Sequence, residues 1–233
     1  TGGVNDVAFS PNGRLLLSAS NDKIVKTWDV RTGALIHVLE GHKSWVRKAC
    51  FSPCGKYIAS ASYDKTVRVW RTSDGSCLVT LSDHGDSVWH VAYTPDGTML
   101  WSAAWNGTVL GRRSKSNRKA HSVLENAIDD VVFSPNSRLL LSASADKTVR
   151  ISDAHTGAML QSLNGHDATV CRACFSPCGK YIASASDDET VRVWRTSDGS
   201  CLAVLSGHDS YVKHIAFTPE GTMLWSAADN GTV

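Results

Sequence analysis

His42, Ser60 and Asp64 recur as His166, Ser184 and Asp188, with the serine 18 and the aspartate 22 residues after the histidine both times. A hydroxyl, an imidazole and a carboxylate are the parts of a hydrolytic relay: nucleophile, base and orienting acid. A fourth residue keeps the same spacing, since Trp70 and Trp194 each lie six residues after the aspartate. An acyl-transfer relay has no use for an indole. Buried indole and imidazole N–H groups need acceptors, however, and a serine hydroxyl and an aspartate carboxylate supply them. Because the whole set is copied, the sequence predicts two structural hydrogen-bond sets and no catalytic residue.

The copying extends well beyond the set. Ala49 to Ser62 returns letter for letter as Ala173 to Ser186, and Thr66 to Leu78 returns as Thr190 to Leu202. The motif Phe/Tyr-Ser/Thr-Pro places prolines at 11, 53, 95, 135, 177 and 219, spaced 42, 42, 40, 42 and 42. A regular period of this size marks six repeats of one supersecondary unit. Prolines 11 and 135, 53 and 177, and 95 and 219 are each 124 apart, so a block of three repeats was itself duplicated.

Within one repeat the β-rich runs Val46–Phe51, Tyr57–Ala61, Thr66–Trp70 and Cys77–Leu81 are separated by turns at Pro53-Cys54-Gly55, Tyr63-Asp64-Lys65 and Ser73-Asp74-Gly75. Connections this short permit only antiparallel neighbours, hence an up-and-down sheet of four strands. One such sheet cannot bury both faces, and radial stacking of sheets solves that problem.

Gly41-His42, Asp64 and Trp70, their copies Gly165-His166, Asp188 and Trp194, and the dipeptide Trp28-Asp29 resemble the WD-repeat (WD40) pattern along the whole chain. The resemblance implies an all-β, WD40-type β-propeller with one blade per repeat and a hydrogen-bonded His, Ser, Asp and Trp set inside a blade. Blades are expected at about 1–41, 42–83, 84–125, 126–165, 166–207 and 208–233. The last is incomplete, because the chain stops as its third strand begins, so the expected object is five blades of four strands, a sixth of two to three, and a larger seven-bladed parent. Unpaired blade edges then invite self-association. Blade three has Asn106 and Arg112 where the pattern has Asp and Trp, and blade four has Ser152 for Trp, which predicts a softer region there. Near-identical arrays of this kind also resemble those of fungal NACHT-type receptors, where they are thought to sense ligands.

Composition narrows the functional classes. With 24 Lys plus Arg against 22 Asp plus Glu, the net charge of +2 supplies no strong global field for nucleic acid or an anionic membrane. No apolar run is long enough to span a bilayer as a helix. Six of the seven cysteines form copied pairs, residues three apart in a strand face opposite sides, and no His or second Cys pair completes a zinc set, so Cys171, Cys174 and Cys178 read as structural thiols in a reducing compartment. The expected location is therefore intracellular, cytoplasmic or nuclear, with no metal and no cofactor. Arg112 to Lys119 carries five basic residues in eight, which reads as a solvated connection or, as an alternative, a nucleic-acid or phosphoinositide contact.

Function is sought where copies differ. The loop entering the first strand and the turn between the second and third strands project from one end of an up-and-down blade. Trp45, Arg47, Tyr63, Trp89 and Trp105 share that rim, and their copies are Thr169, Cys171, Asp187, Lys213 and Asp229, whereas the opposite turn at Ser52 to Gly55 is copied unchanged. The sequence therefore predicts a non-catalytic scaffold or ligand-sensing module, with a protein or peptide partner held on blades two and three. Asp187, Tyr211, Lys213 and Asp229 are expected to line a more polar sector. A propeller hydrolase ranks last, since no acid pair, phosphate loop or metal cluster stands outside the repeat.

Overall fold

The computed structural model describes residues 2–113, 119–123 and 128–233. It divides into two units at the seam of the sequence duplication, residues 1–125 and 126–233. The first unit holds three sheets: β1 to β4 (Val4–Phe9, Leu15–Ser20, Val25–Asp29, Leu35–Leu39), β5 to β8 (Val46–Phe51, Tyr57–Ser62, Val67–Arg71, Cys77–Leu81) and β9 to β12 (Val88–Tyr93, Met99–Ala104, Thr108–Arg113, Lys119–Val123). The second holds β13 to β16 (Ile128–Phe133, Leu139–Ser144, Val149–Asp153, Met159–Leu163), β17 to β20 (Val170–Phe175, Tyr181–Ser186, Val191–Arg195, Cys201–Leu205) and the pair β21 and β22 (Val212–Phe217, Leu224–Ala228). Every neighbouring pair is antiparallel and consecutive in sequence. Among the described residues there are thus five four-stranded sheets and one two-stranded sheet. No helix long and apolar enough to cross a membrane occurs among them.

The turns explain the strand ends. In the Ser-Pro-Cys-Gly turn, Gly55 takes φ 71° and its N–H bonds the Ser52 carbonyl at 2.8 Å, while Ser52 Oγ accepts the Tyr57 N–H at 3.1 Å. In the next turn Asp64 Oδ1 accepts the Thr66 N–H at 3.0 Å, and the third closes on Asp74 Oδ1, which accepts the Ser76 N–H at 2.9 Å. Short side chains of this kind satisfy turn backbone that would otherwise be bare. The runs read from sequence for β6 and β7 differ from the strands by one residue at their ends, within the usual ambiguity of a strand boundary.

Sheets stack through their first and second strands. Leu17, Ala19, Val25 and Leu39 of the first sheet bury against Val46, Ala49, Phe51, Ile58 and Trp70 of the second, and Ala59, Ala61 and Val67 of the second against Val88, Val91 and Leu100 of the third. The second unit repeats this with Leu141, Ala143, Val149, Ile151 and Leu163 against Val170, Ala173, Phe175, Ile182 and Trp194. In β6 all of Ile58 to Ser62 is buried, because both faces of that strand are covered, and small Ala and Ser residues let the layers approach.

The third sheet departs from its neighbours in an instructive way. Arg112 stands where β7 has Trp70, and it makes an ion pair with Asp83 instead. On the opposite face of the same sheet Trp101 of β10, fully buried, lies against Gly111, where an added Cβ would meet the indole at 2.6 Å. Trp101 and Gly111 replace the repeat's Ala59 and Val69, so one large-for-small and one small-for-large change conserve packing.

Each sheet also carries a bulge in its first strand. Register shifts between Val46 and Lys48 in β5, between Val88 and His90 in β9, between Val170 and Arg172 in β17, and at the matching places in β1, β13 and β21. The residues inside the bulges are Asn5, Arg47, Trp89, Asp129, Cys171 and Lys213. A bulge bends its strand and re-aims one side chain, and here that side chain is the one that differs in every repeat.

Candidate functional site

Two kinds of site lie along these sheets, one copied and one diverged. In the copied set, His42 Nδ1 lies 2.8 Å from Asp64 Oδ2 and its Nε2 lies 2.8 Å from Ser60 Oγ, while Trp70 Nε1–H donates to Ser60 Oγ at 2.9 Å. A carboxylate only accepts, so Nδ1 carries the proton, Nε2 accepts from the serine hydroxyl, and the serine oxygen accepts the indole N–H. The second copy gives 2.7, 2.7 and 2.9 Å for His166 to Asp188, His166 to Ser184 and Trp194 to Ser184. Ser60 and Ser184 are fully buried, and an indole occupies the oxygen that a substrate carbonyl would have to meet. The preceding glycine has a physical reason: Gly41 takes φ 145°, and a Cβ there would come 2.5 Å from the Arg68 guanidinium.

Burial opposes ionisation of Asp64, but hydrogen bonds from His42, Thr66 and the Lys43 N–H hold its carboxyl well below the usual range. Asp188 is likewise opposed by burial and brought down to about 2 by Thr190, the Asp167 N–H and His166. Asp188→Ala removes the acceptor of a buried imidazole N–H and of the Asp167 N–H; the expected loss is about 1 to 3 kcal/mol in a denaturant melt. Unchanged stability in that variant would contradict the structural role.

Elsewhere the set is partial. Trp28 donates to Ser18 at 3.3 Å and His208 reaches Ser226 at 2.7 Å. In the third sheet His84 Nε2 meets Ser102 at 2.7 Å, yet Nδ1 is buried without a hydrogen-bond partner among the described residues, because Asn106 replaces the aspartate. Burial lowers His84 to about 4. A histidine whose folded pKa lies below its unfolded value of 6.5 loses its stabilising contribution as pH falls, since the unfolded chain takes up a proton that the folded one refuses. At pH 5 this amounts to about 2 kcal/mol. Asn106→Asp supplies the missing acceptor, so melts compared at pH 7.5 and about 5 should show a smaller acid loss in the variant. An identical pH dependence in the two proteins would contradict it.

The diverged site is on the other residues of the same rim. The backbone brings them together, since the Tyr63 N–H bonds the Trp45 carbonyl at 3.0 Å and the Trp105 N–H bonds the Ser87 carbonyl at 2.9 Å. Trp45, Tyr63, Trp89 and Trp105 form one continuous strip, with ring centroids 5.7, 5.6 and 4.4 Å apart, the last pair stacked at 22°. Arg47 sits over Trp89 at 5.2 Å. Trp45 and Trp105 are each 49% exposed, while Trp89 is half-buried between its neighbours with its Nε1–H unpaired among the described residues.

In the second unit the same places hold a polar cluster. Lys213 Nζ donates to Asp187 Oδ1 at 2.5 Å, Cys171 Sγ donates to the same oxygen at 2.9 Å, and Lys213 lies over the Tyr211 ring at 5.2 Å. Tyr211 and Asp229 are exposed. Burial, then the hydrogen bond to Asp187, push the Cys171 thiol up to about 12, which makes it a donor and a poor nucleophile. Asp129, which the sequence reading passed over, stands beside this cluster: its side chain is exposed, and partial loss of hydration and the Asp187 charge raise its pKa against the pull of Lys213. Its signal was the repeat position it shares with Arg47 and Trp89.

Cys174 stands three residues from Cys171 on β17 and Cys178 lies in an exposed turn beside Ser176, so the three thiols face different surroundings. Of the basic run, residues 114–118 lie outside the described residues, and Arg112 is paired with Asp83.

The family pattern "WD domain, G-beta repeat" matches residues 1–29, 33–71, 75–110, 113–153, 157–195 and 199–233. Similar curated proteins include "Probable serine/threonine-protein kinase PkwA" of Thermomonospora curvata, 56% identical over 41 residues, 18% of this chain and 6% of that protein. "Nuclear distribution protein nudF 1" of Talaromyces marneffei is 47% identical over 47 residues, 20% of this chain and 10% of that protein. "Protein TOPLESS" of Arabidopsis thaliana is 45% identical over 51 residues, 21% of this chain and 4% of that protein. The chain thus spans a small part of each relative's length. WD repeats generally mediate protein–protein interaction and scaffolding. With six matches along its length and the all-β propeller-type sheets they describe, the chain belongs to the WD-repeat (WD40) family.

Proposed function

We propose that this chain is a non-catalytic interaction module that holds a protein or peptide partner on the aromatic rim of its second and third sheets. The observation that carries this reading is the strip of Trp45, Tyr63, Trp89 and Trp105, ending at both sides in exposed indoles, in a chain whose blade two is copied unchanged over Ala49 to Ser62 and Thr66 to Leu78. Exposed Trp and Tyr with an Arg alongside have the composition of a binding hot spot. The His, Ser, Asp and Trp sets support a non-catalytic reading, since each buried serine is committed to an indole. Seven free thiols fit an intracellular setting.

The test is site-specific crosslinking. A photo-reactive phenylalanine at position 45 or 105 is expected to trap a partner that the same probe at Lys56, on the Ser52 to Gly55 rim, does not. Equal trapping from both rims, or trapping from Lys56 alone, would count against the reading.

A further inference from the structure

Within the rim reading above, on which this inference rests, the charges beside the aromatic strip identify its partner. Three exposed cations border the strip: Lys43 in the loop entering β5, Arg47 in its bulge, and Lys65 in the turn after β6. Lys65 Nζ reaches across to the Gly85 carbonyl at 3.1 Å, which ties its charge to the loop that leads into β9 and Trp89. Of the two acids there, Asp64 is committed to His42 and the Lys43 N–H, which leaves Asp86 as the counterweight.

The duplicated block reverses this pattern at most of these places, although Trp89 becomes Lys213 and Asp86 becomes Ser210. Lys43 becomes Asp167, Lys65 becomes Glu189, Gly85 becomes Asp209, Tyr63 becomes Asp187 and Trp105 becomes Asp229, while β6 and β18 keep the identical Tyr-Ile-Ala-Ser-Ala-Ser sequence. Asp167, Glu189, Asp209 and Asp229 are exposed, so none of these changes repairs a core. Changes confined to one rim that replace cations and aromatics by carboxylates alter what that rim attracts and leave what holds the sheet untouched. Opposite charges across an interface both select the right partner and repel the wrong one.

We infer that the aromatic rim of the first unit binds an acidic peptide segment, with an apolar side chain of the segment laid on the Trp45 to Trp105 strip and its carboxylates facing Lys43, Arg47 and Lys65. Trp89 Nε1–H, unpaired among the described residues, offers a donor to a peptide carbonyl. A cationic ligand is disfavoured at this place because Arg47 already covers Trp89.

Binding of fluorescein-labelled synthetic peptides to the full chain tests this by anisotropy. The probes are a Leu-Phe-Pro core flanked by glutamates, the same core flanked by lysines, and an oligouridine. At low salt the glutamate-flanked peptide is expected to bind at least about tenfold tighter than the lysine-flanked one, a preference that shrinks as salt rises. The double variant K43D/K65E carries residues of the chemistry the copied blade already accommodates at these places, so its fold should persist, and it should lose or reverse the preference. Preference for the lysine-flanked peptide or the oligouridine, an unchanged preference in K43D/K65E, or no binding at all would overturn the inference. W105A separates the two levels of the argument. If it abolishes peptide binding while K43D/K65E changes nothing, the strip is the site and the charge assignment is wrong; if it binds as the parent does, the rim reading fails as well.

Discussion

Replacing Trp101 by Ala is expected to destabilise the first unit by about 3 to 5 kcal/mol, the scale for emptying a fully buried indole site. Trp101 is 0% exposed and fills the space over Gly111, on the face opposite the one that carries Trp70 in the neighbouring sheet. Gly111 leaves no atoms that could swing in to fill the hole, so the cavity should persist. Gly111→Val should be costly for the opposite reason, because its Cβ would meet the indole at 2.6 Å. Urea melts of both variants check this. A loss below about 1 kcal/mol for Trp101→Ala would mean that the third sheet is as soft as its missing aspartate and tryptophan suggest from sequence alone.

The second large effect concerns binding. Trp105→Ala should cost at least about 2 kcal/mol of affinity for the partner trapped at the rim, while the melting temperature stays close to that of the parent. Trp105 supports this separation because half of its surface is exposed and its main contact is the stacked Trp89. Trp89→Ala should lower both affinity and stability, since that ring is half-buried between Tyr63, Trp105 and Arg47. Early unfolding of Trp105→Ala with normal binding would assign the indole to packing.

The repeat made the sheets legible, because prolines and glycines at a fixed period mark turns and the β-branched runs between them have room for one strand each. His42, Ser60, Asp64 and Trp70 were legible for a related reason: their spacing is copied, and buried donors need acceptors. The compensation in the third sheet was not. Trp101 and Gly111 are ten residues apart in sequence and look like two unrelated departures until the antiparallel register of β10 and β11 sets them opposite each other. The bulges were harder to see, since one extra residue breaks the alternation at a single place in a six-residue strand, as between the buried Val46 and Ala49. They matter because they explain why Arg47, Trp89, Asp129, Cys171 and Lys213 are free to vary: each is the extra residue of its ladder, without a cross-strand partner. The sequence placed Asp187 and Lys213 in one polar sector, and the structure joins them to each other and to Cys171, which makes that sector a preformed polar cluster.

The account holds that copied residues build the sheets and diverged rim residues bind. The most direct measurement is the partner-binding isotherm of one variant, W45T/R47C/Y63D/W89K/W105D, which gives the first unit the residues that the duplicated block carries at the same places. The account predicts a folded protein with the parent's circular dichroism and an affinity reduced at least about a hundredfold, as expected when several hot-spot side chains are removed together. A folded variant that binds the partner as tightly as the parent would contradict it.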